Sequence, residues 1–432
     1  MSWFKMIRLG MLHVAVAISL VPITGVLNRI MIHELGLMTS IVAALIILPH
    51  LFSPMQVFIG QFSDRHPFWG YRRTPYVAIG LLLCVGGAAL TPFAAFAMDA
   101  NFWPGLALAL LVFGIWGVGF NTAVVSYLSL ASDMSPAHLR SRTIAVMWFM
   151  MITAVIGTAI STGRALEPYS PERLIEVFAI CAGVALTVGA LGLIGLEPRN
   201  AIPLSHEERY SAAESVRTVV RDPLARRFFV YLMFMLSAIL GQDVLLEPYG
   251  AQAFGMDVRT TTQLTAVWGG ATLLALLLHG VVFSRWLSNK RGAMIGGSIA
   301  AVGLTLIALS GILHIEPLFV PAIALLGFGT GIATATNLAL MLDMTTPQQV
   351  GLFIGAWGVA DAAARGLGNL LAGVIRDLAA LVVGSTGAYA TVFLIEALIL
   401  CTALVMLRAI DVSAFRSQRR ELGQLVAAMG DA

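Results

Sequence analysis

Twelve long apolar runs constrain this chain more than any other feature. They are Leu9–Leu27, Ser40–Gln61, Tyr76–Ala97, Phe102–Leu130, Thr143–Ser161, Leu174–Leu196, Phe228–Leu246, Thr262–Trp286, Ala293–His314, Leu318–Leu342, Val350–Ile375 and Tyr389–Leu407. Each is close to the ~20 residues a helix needs to cross the hydrocarbon core of a bilayer. A soluble core could not hide so much apolar surface. Of 432 residues 58% are hydrophobic and only 11% charged, against about 25% charged in soluble domains. In lipid the backbone must satisfy its own hydrogen bonds, so the runs predict helices. The expectation is an all-α membrane protein with 12 transmembrane helices. The fourth, tenth and eleventh runs are rich in glycine, which predicts breaks or tilts there.

Arginine and lysine set the orientation. With the N-terminus in the cytoplasm, that side collects Lys5, Arg8, Arg65, Arg72, Arg73, Arg140, Arg142, the arginines of 199–227, Arg285, Lys290, Arg291 and the tail from Arg408. The opposite side holds only Arg29, Arg164, Arg173, Arg259 and Arg376. This asymmetry predicts that both termini are cytoplasmic. Lys5 and Arg8 precede the first run without a small-residue cleavage pattern after it, so that helix is expected to stay. The long polar stretch Glu197–Arg227 separates a six-helix half at 1–196 from a second at 228–410, followed by a cytoplasmic tail at 411–432. Ser205 and Glu208 have capping-box spacing, predicting a short linker helix that ends before Pro223. Cys84, Cys181 and Cys401 lie in apolar runs without a C-x-x-C pair, so neither a disulfide framework nor a thiolate metal site is expected.

The halves repeat each other. Gly117-Val118-Gly119-Phe120 leads to Asp133-Met134-Ser135-Pro136, and Gly327-Phe328-Gly329-Thr330 leads to Asp343-Met344-Thr345-Thr346-Pro347, with Gly117 to Gly327 and Asp133 to Asp343 both offset by 210. Between the second and third runs stands Gly60-Gln61-Phe62-Ser63-Asp64-Arg65, then Trp69-Gly70-Tyr71-Arg72-Arg73; Gly280 to Arg291 is its shorter counterpart. Gly60 permits close helix approach, Asp64 can pair with arginine or cap a helix, and Arg72 and Arg73 fix topology. This segment resembles the cytoplasmic loop motif of the major facilitator superfamily. The resemblance implies the major facilitator fold, with two pseudo-symmetric six-helix halves, and it specifies no substrate.

Longer stretches carry a narrower likeness. They are Leu27-Asn28-Arg29-Ile30-Met31-Ile32-His33-Glu34-Leu35-Gly36, Gly70 to Tyr76, Glu247-Pro248-Tyr249-Gly250 with Thr265 to Gly270, and Gly351 to Gly358 running to Gly373-Val374-Ile375-Arg376-Asp377. These resemble the PucC/LhaA family, also called the bacteriochlorophyll delivery family, over nearly the whole chain. The resemblance implies a photosynthetic membrane and a role in assembling light-harvesting antenna or core complexes. It also implies bacteriochlorophyll as cargo rather than as a built-in cofactor. The implied partners are antenna polypeptides, the reaction-centre core, pigment-synthesis enzymes and membrane lipid.

Ionisable groups inside a bilayer are functional candidates because they are costly. Asp361 and Arg365 share a helix face four residues apart and can pair. Asp243 and Glu247 have the same spacing near the outer end of the seventh run, and Arg29 and Glu34 flank the outer end of the first. A structural salt bridge or a helix-end anchor explains each set at least as well as substrate contact does. Neutral histidine can ligate the magnesium of a chlorophyll, which makes His13 and His279 candidates. Trp268, on nearly the same face as His279, and Trp357, Trp116 and Trp148 can stack on a macrocycle; core packing is the competing explanation for all six. Gly355, Gly366 and Gly373 could receive an antenna helix or could serve internal contacts. No P-loop, G-x-S-x-G, H-E-x-x-H or dinucleotide fingerprint in a fitting context is present, so neither an enzyme nor a nucleic-acid-binding protein is expected. Three readings stay open: an assembly factor, a transporter of a small amphiphile or tetrapyrrole, and a membrane scaffold.

Overall fold

The computed structural model describes residues 2–136, 139–199, 217, 220–343 and 350–410. Regular structure among them is helical, apart from an antiparallel bridge between Phe68 and Tyr71. The elements are α1 (Trp3–Pro22), α2 (Thr39–Ile46), α3 (Leu48–Leu51), α4 (Met55–Arg65), α5 (Thr74–Ala100), α6 (Phe102–Met134), α7 (Arg140–Ala165) and α8 (Pro171–Leu193). Then follow α9 (Pro223–Leu240), α10 (Leu246–Phe254), α11 (Val258–Val281), α12 (Asn289–Ile312), α13 (Glu316–Asp343) and α14 (Val350–Ala409). Among the described residues ten helices are long and apolar enough to cross a membrane, and the chain is a multi-pass membrane protein.

Ten helices accommodate twelve runs for two reasons. The second run is not one helix: Pro49 and Pro54, which lack an N–H to donate, divide it into α2, α3 and α4. The eleventh and twelfth runs are joined in α14, where Gly384 at φ 75° and ψ 173° turns the chain. That positive φ is readily available only to glycine. The glycine-rich fourth and tenth runs stay unbroken as α6 and α13, and Gly384 lies beyond the predicted eleventh span, so the expectation of breaks within those runs is corrected. The winding changes instead in the first run, and the helix is interrupted in the seventh. After Pro22 the backbone widens into π turns at Ile23–Leu27 and Ile30–Glu34. The seventh run ends as α9 at Leu240 and passes through a 3-10 turn, Gly241–Val244, into α10. The expected linker helix at Ser205 lies outside the described residues.

Glycine does its work at helix contacts. In α5 and α6, a Cβ on Gly80 would fall 2.4 Å from the Ala123 backbone, one on Gly87 2.7 Å from Trp116, and one on Gly119 2.2 Å from Cys84. In α12 and α13, Gly296 meets Ala333 at 2.6 Å, Gly303 meets Leu326 at 2.7 Å, and Gly329 meets Ala300 at 2.4 Å. Each partner in the second set lies 216 or 210 positions after its counterpart in the first. The repeat is therefore a repeat of contacts as well as of letters.

Contacts gather the chain into two compact units. The first comprises Met1–Glu208, Gln242–Gly269 and Asn369–Tyr389; the second comprises Arg209–Gly241, Gly270–Gly368 and Ala390–Ala432. The core of the first unit runs from Ile23 and Met31 through Ala88 and Trp116 to Phe178 and Val244.

Candidate functional site

Two polar clusters stand out in the first unit, and both are built where helices end or break. The first surrounds the loop motif between α4 and α5. Arg73, fully buried, bonds the Gly60 carbonyl at 3.3 Å, the Ser63 hydroxyl, and Asp133 Oδ2 at 3.3 Å. Arg72 Nη2 reaches the same Asp133 oxygen at 2.5 Å. Glu197, just past α8, accepts the backbone N–H groups of Arg72 at 2.9 Å, Arg73 at 3.0 Å and Thr74 at 2.7 Å. A carboxylate over the N-terminus of α5 satisfies donors that the helix cannot pair and complements its dipole. Gly60 sits on the Val125 side chain, where a Cβ would be 3.6 Å away, an ordinary contact. Arg65 is exposed, and the Asp64 side chain lies outside the described residues. The arrangement ties the ends of α4, α5, α6 and α8 together and offers no catalytic geometry.

The second cluster lies at the broken end of α1. Asn28 Nδ2 donates to the Val244 carbonyl at 2.8 Å, and Arg29 Nη2 donates to the Met256 carbonyl at 3.1 Å. Arg29 Nη1 also pairs with Glu34 at 2.8 Å. Glu247 is buried in the first turn of α10, where its Oε1 accepts the Thr265 hydroxyl at 2.6 Å. Gly25 makes room for it: a Cβ there would fall 2.7 Å from Glu247 Oε1. Asp243 accepts from Gln242 at 2.7 Å, and the 3-10 turn takes it off the helical spacing that the sequence suggested for the two acids. Further along, Asp377 in α14 caps α2 by accepting the N–H groups of Thr39 at 3.2 Å and Ser40 at 2.8 Å. Gly373 packs against Ser40 and Thr39, so it serves an internal contact rather than a free face.

The other candidates are scattered. Asp361 and Arg365 pair within α14 at 3.1 Å, each about one-third exposed. His13 is buried in α1 with its ring 5.2 Å from Tyr127 and 5.3 Å from Trp148. Neither His13 Nδ1 nor the Tyr127 hydroxyl has a hydrogen-bond partner. His279 is buried in α11, and its Nδ1 also lacks a partner. Trp268 belongs to the first unit and His279 to the second. Trp357 is half-buried in α14. Among the described residues no group of three or more His, Cys, Asp or Glu is placed to hold a metal.

Sequence reasoning missed Asn28, Gln242 and Thr265 as members of the second cluster, because neutral polar residues in apolar runs give no charge signal. It also missed the capping role of Glu197, whose only mark is being the first acid after the sixth run.

The family described as PUCC protein matches residues 26–415. Protein PucC of Rhodovulum sulfidophilum is 33% identical over 385 residues, covering 86% of this chain and 85% of that protein. A Rhodobacter capsulatus protein named bacteriochlorophyll synthase 44.5 kDa chain is 28% identical over 417 residues, covering 94% and 95%. Among solved structures, the nucleoside transporter NupG superposes with a TM-score of 0.73 at 15% identity, covering 94% of this chain and 99% of that one. The fold is that of the major facilitator transporters.

Proposed function

This chain belongs to the PUCC protein family, and on that premise we propose that it is an assembly factor for the light-harvesting complexes of a phototrophic bacterium. In this role it handles or delivers bacteriochlorophyll and docks antenna polypeptides. The observation that carries the reading is the family match, which spans both helix repeats. The name of the Rhodobacter capsulatus relative, a bacteriochlorophyll synthase chain, supports a tie to the pigment pathway. The proposed place is the bacterial inner, photosynthetic membrane, with both termini in the cytoplasm.

No covalent step is assigned to the chain; its work is holding and handing over. Bacteriochlorophyll enters as cargo, and reaction-centre core subunits or pigment-synthesis enzymes are the proposed neighbours. Of the pigment candidates, His13 has the most suitable surroundings. Its ring lies near both the buried Tyr127 and the half-exposed Trp148, and its neutral imidazole would ligate the magnesium of a bound pigment.

The test is purification from a phototrophic host followed by absorption spectroscopy and identification of accompanying polypeptides. Pigment or antenna subunits are expected to travel with the protein, and deletion of the gene is expected to deplete those complexes. His13→Ala is expected to lower bound pigment about tenfold. Clean protein without pigment or polypeptide, together with intact complexes in the deletion strain, overturns the proposal.

A second reading, a transporter of a small amphiphile or tetrapyrrole, is favoured by one feature. A helix interrupted by a 3-10 turn and a helix widened into π turns flank a buried carboxylate at Glu247, and membrane porters use interrupted helices at their binding sites. Substrate flux in proteoliposomes that is lost with Asp361→Asn supports it; no flux over a broad panel rejects it.

A further inference from the structure

Where the end of α1 meets residues 242–265, buried acceptors outnumber their donors. Asn28 holds the Val244 carbonyl. Val244 lies two residues after Gln242 and three before Glu247, and Gly25, one turn before Asn28, touches the Glu247 carboxylate. The three polar side chains thus come from adjoining segments, with relative exposures of 0% for Asn28, 2% for Gln242 and 2% for Glu247.

Both amides have fixed orientations. Asn28 Nδ2 donates to a carbonyl, and Gln242 Nε2 donates to Asp243 Oδ1 at 2.7 Å. Turning either over would set oxygen against oxygen. Asn28 Oδ1 and Gln242 Oε1 are therefore acceptors, and both are buried without a partner. Glu247 uses Oε1 for the Thr265 hydroxyl, while its Oε2 is buried without a partner as well.

The charged groups nearby are engaged elsewhere. Arg29 spends its two terminal nitrogens on Glu34 and the Met256 carbonyl, leaving only Nε unpaired. Asp243 accepts from Gln242. On the side of α11, Asp257 accepts the Thr260 N–H at 2.8 Å, and Arg259 pairs with Glu167 at 2.6 Å. His33 stands in the second π turn beside Glu34.

We propose that Asn28, Gln242 and Glu247 form a binding site for a single monovalent cation, either Na+ or a proton carried on Glu247. A buried set of oxygen acceptors without donors is the chemistry that a cation completes. One carboxylate with two neutral amides balances a single positive charge. Divalent ions generally take six to eight oxygen ligands with more carboxylates among them. This assignment goes beyond the role in assembly and fails separately from it: absence of pigment leaves cation binding untouched.

The experiment follows thermal unfolding of the purified full chain in nanodiscs. In one arm Na+ replaces choline at constant ionic strength and mildly alkaline pH. In the other, pH is varied from alkaline to neutral without Na+, with infrared difference spectra recorded for the protonated-carboxyl band. A Na+ site raises Tm with Na+ and shows no such band. A proton site raises Tm as pH falls, regardless of Na+, and the band grows in step. Glu247→Gln is expected to abolish whichever dependence the native chain shows. Asn28→Ala keeps the carboxylate and is expected to shift the midpoint about tenfold in cation concentration. Indifference of the native chain to both cations, without an infrared band, overturns the proposal even if the variants fail to fold. Unchanged dependence in Glu247→Gln also overturns it.

Discussion

Arg72 and Arg73 are neighbours in sequence with different energetic roles. Arg73 is wholly enclosed and serves Gly60, Ser63 and Asp133, whereas Arg72 keeps a side-chain exposure of 14%. Removing one member of a buried charged network leaves its partners stranded, at about 3 kcal/mol. Arg73→Ala is expected to cost that much in unfolding, and Arg72→Ala about 1 kcal/mol; denaturation in detergent measures both. Asp257 gives a test in pH. Outside the spans, the Thr260 hydroxyl and backbone N–H hold its carboxyl below the usual carboxylate range. A lowered folded-state pKa favours the fold above the unfolded value, and that advantage disappears as pH falls through the folded one. Asp257→Asn is therefore expected to lower Tm at neutral pH, with the gap closing as pH drops below about 4.

At the scale of elements, the matched glycines of α5/α6 and α12/α13 decide how close two backbones come. Gly80 and Gly86 lie on the same helix, yet a Cβ on Gly80 would strike the Ala123 backbone and one on Gly86 would meet nothing within 4 Å. Gly80→Ala is expected to destabilise by about 1–3 kcal/mol, since backbone cannot yield as a side chain can. Gly86→Ala is expected to be neutral or to stabilise by up to about 1 kcal/mol through helix propensity. Unfolding of the two variants side by side checks the contrast. Hydropathy made most of these helices legible, because lipid demands a long apolar run wherever a helix crosses. It could not show that the second crossing would be three short helices, since Pro49 and Pro54 sit in sequence as apolar as their surroundings. Nor could it place the π turns after Pro22, which keep the same residue types on a wider winding. Glu247 was legible as a charge at the end of an apolar run. Asn28 and Thr265 were not, because their significance depends on contacts with residues distant in sequence.

Taken as a whole molecule, the chain is a transporter-fold membrane protein whose first unit borrows from the second half of the sequence. Residues 242–269 and 369–389 belong with Met1–Glu208. The bonds that join them span 216 residues at Asn28, 227 at Arg29 and 338 at Thr39. These separations set a timetable. At roughly 5–20 residues per second of synthesis, Thr39 waits on the order of tens of seconds for Asp377 to be made. Until then the first six crossings lie in the bilayer with the carbonyl-seeking Asn28 and Arg29 and the bare N-terminus of α2 unserved. The molecule is therefore born incomplete: its earliest helices are finished by nearly its last, and a ribosome stalled before Asp377 would leave a polar seam open to lipid.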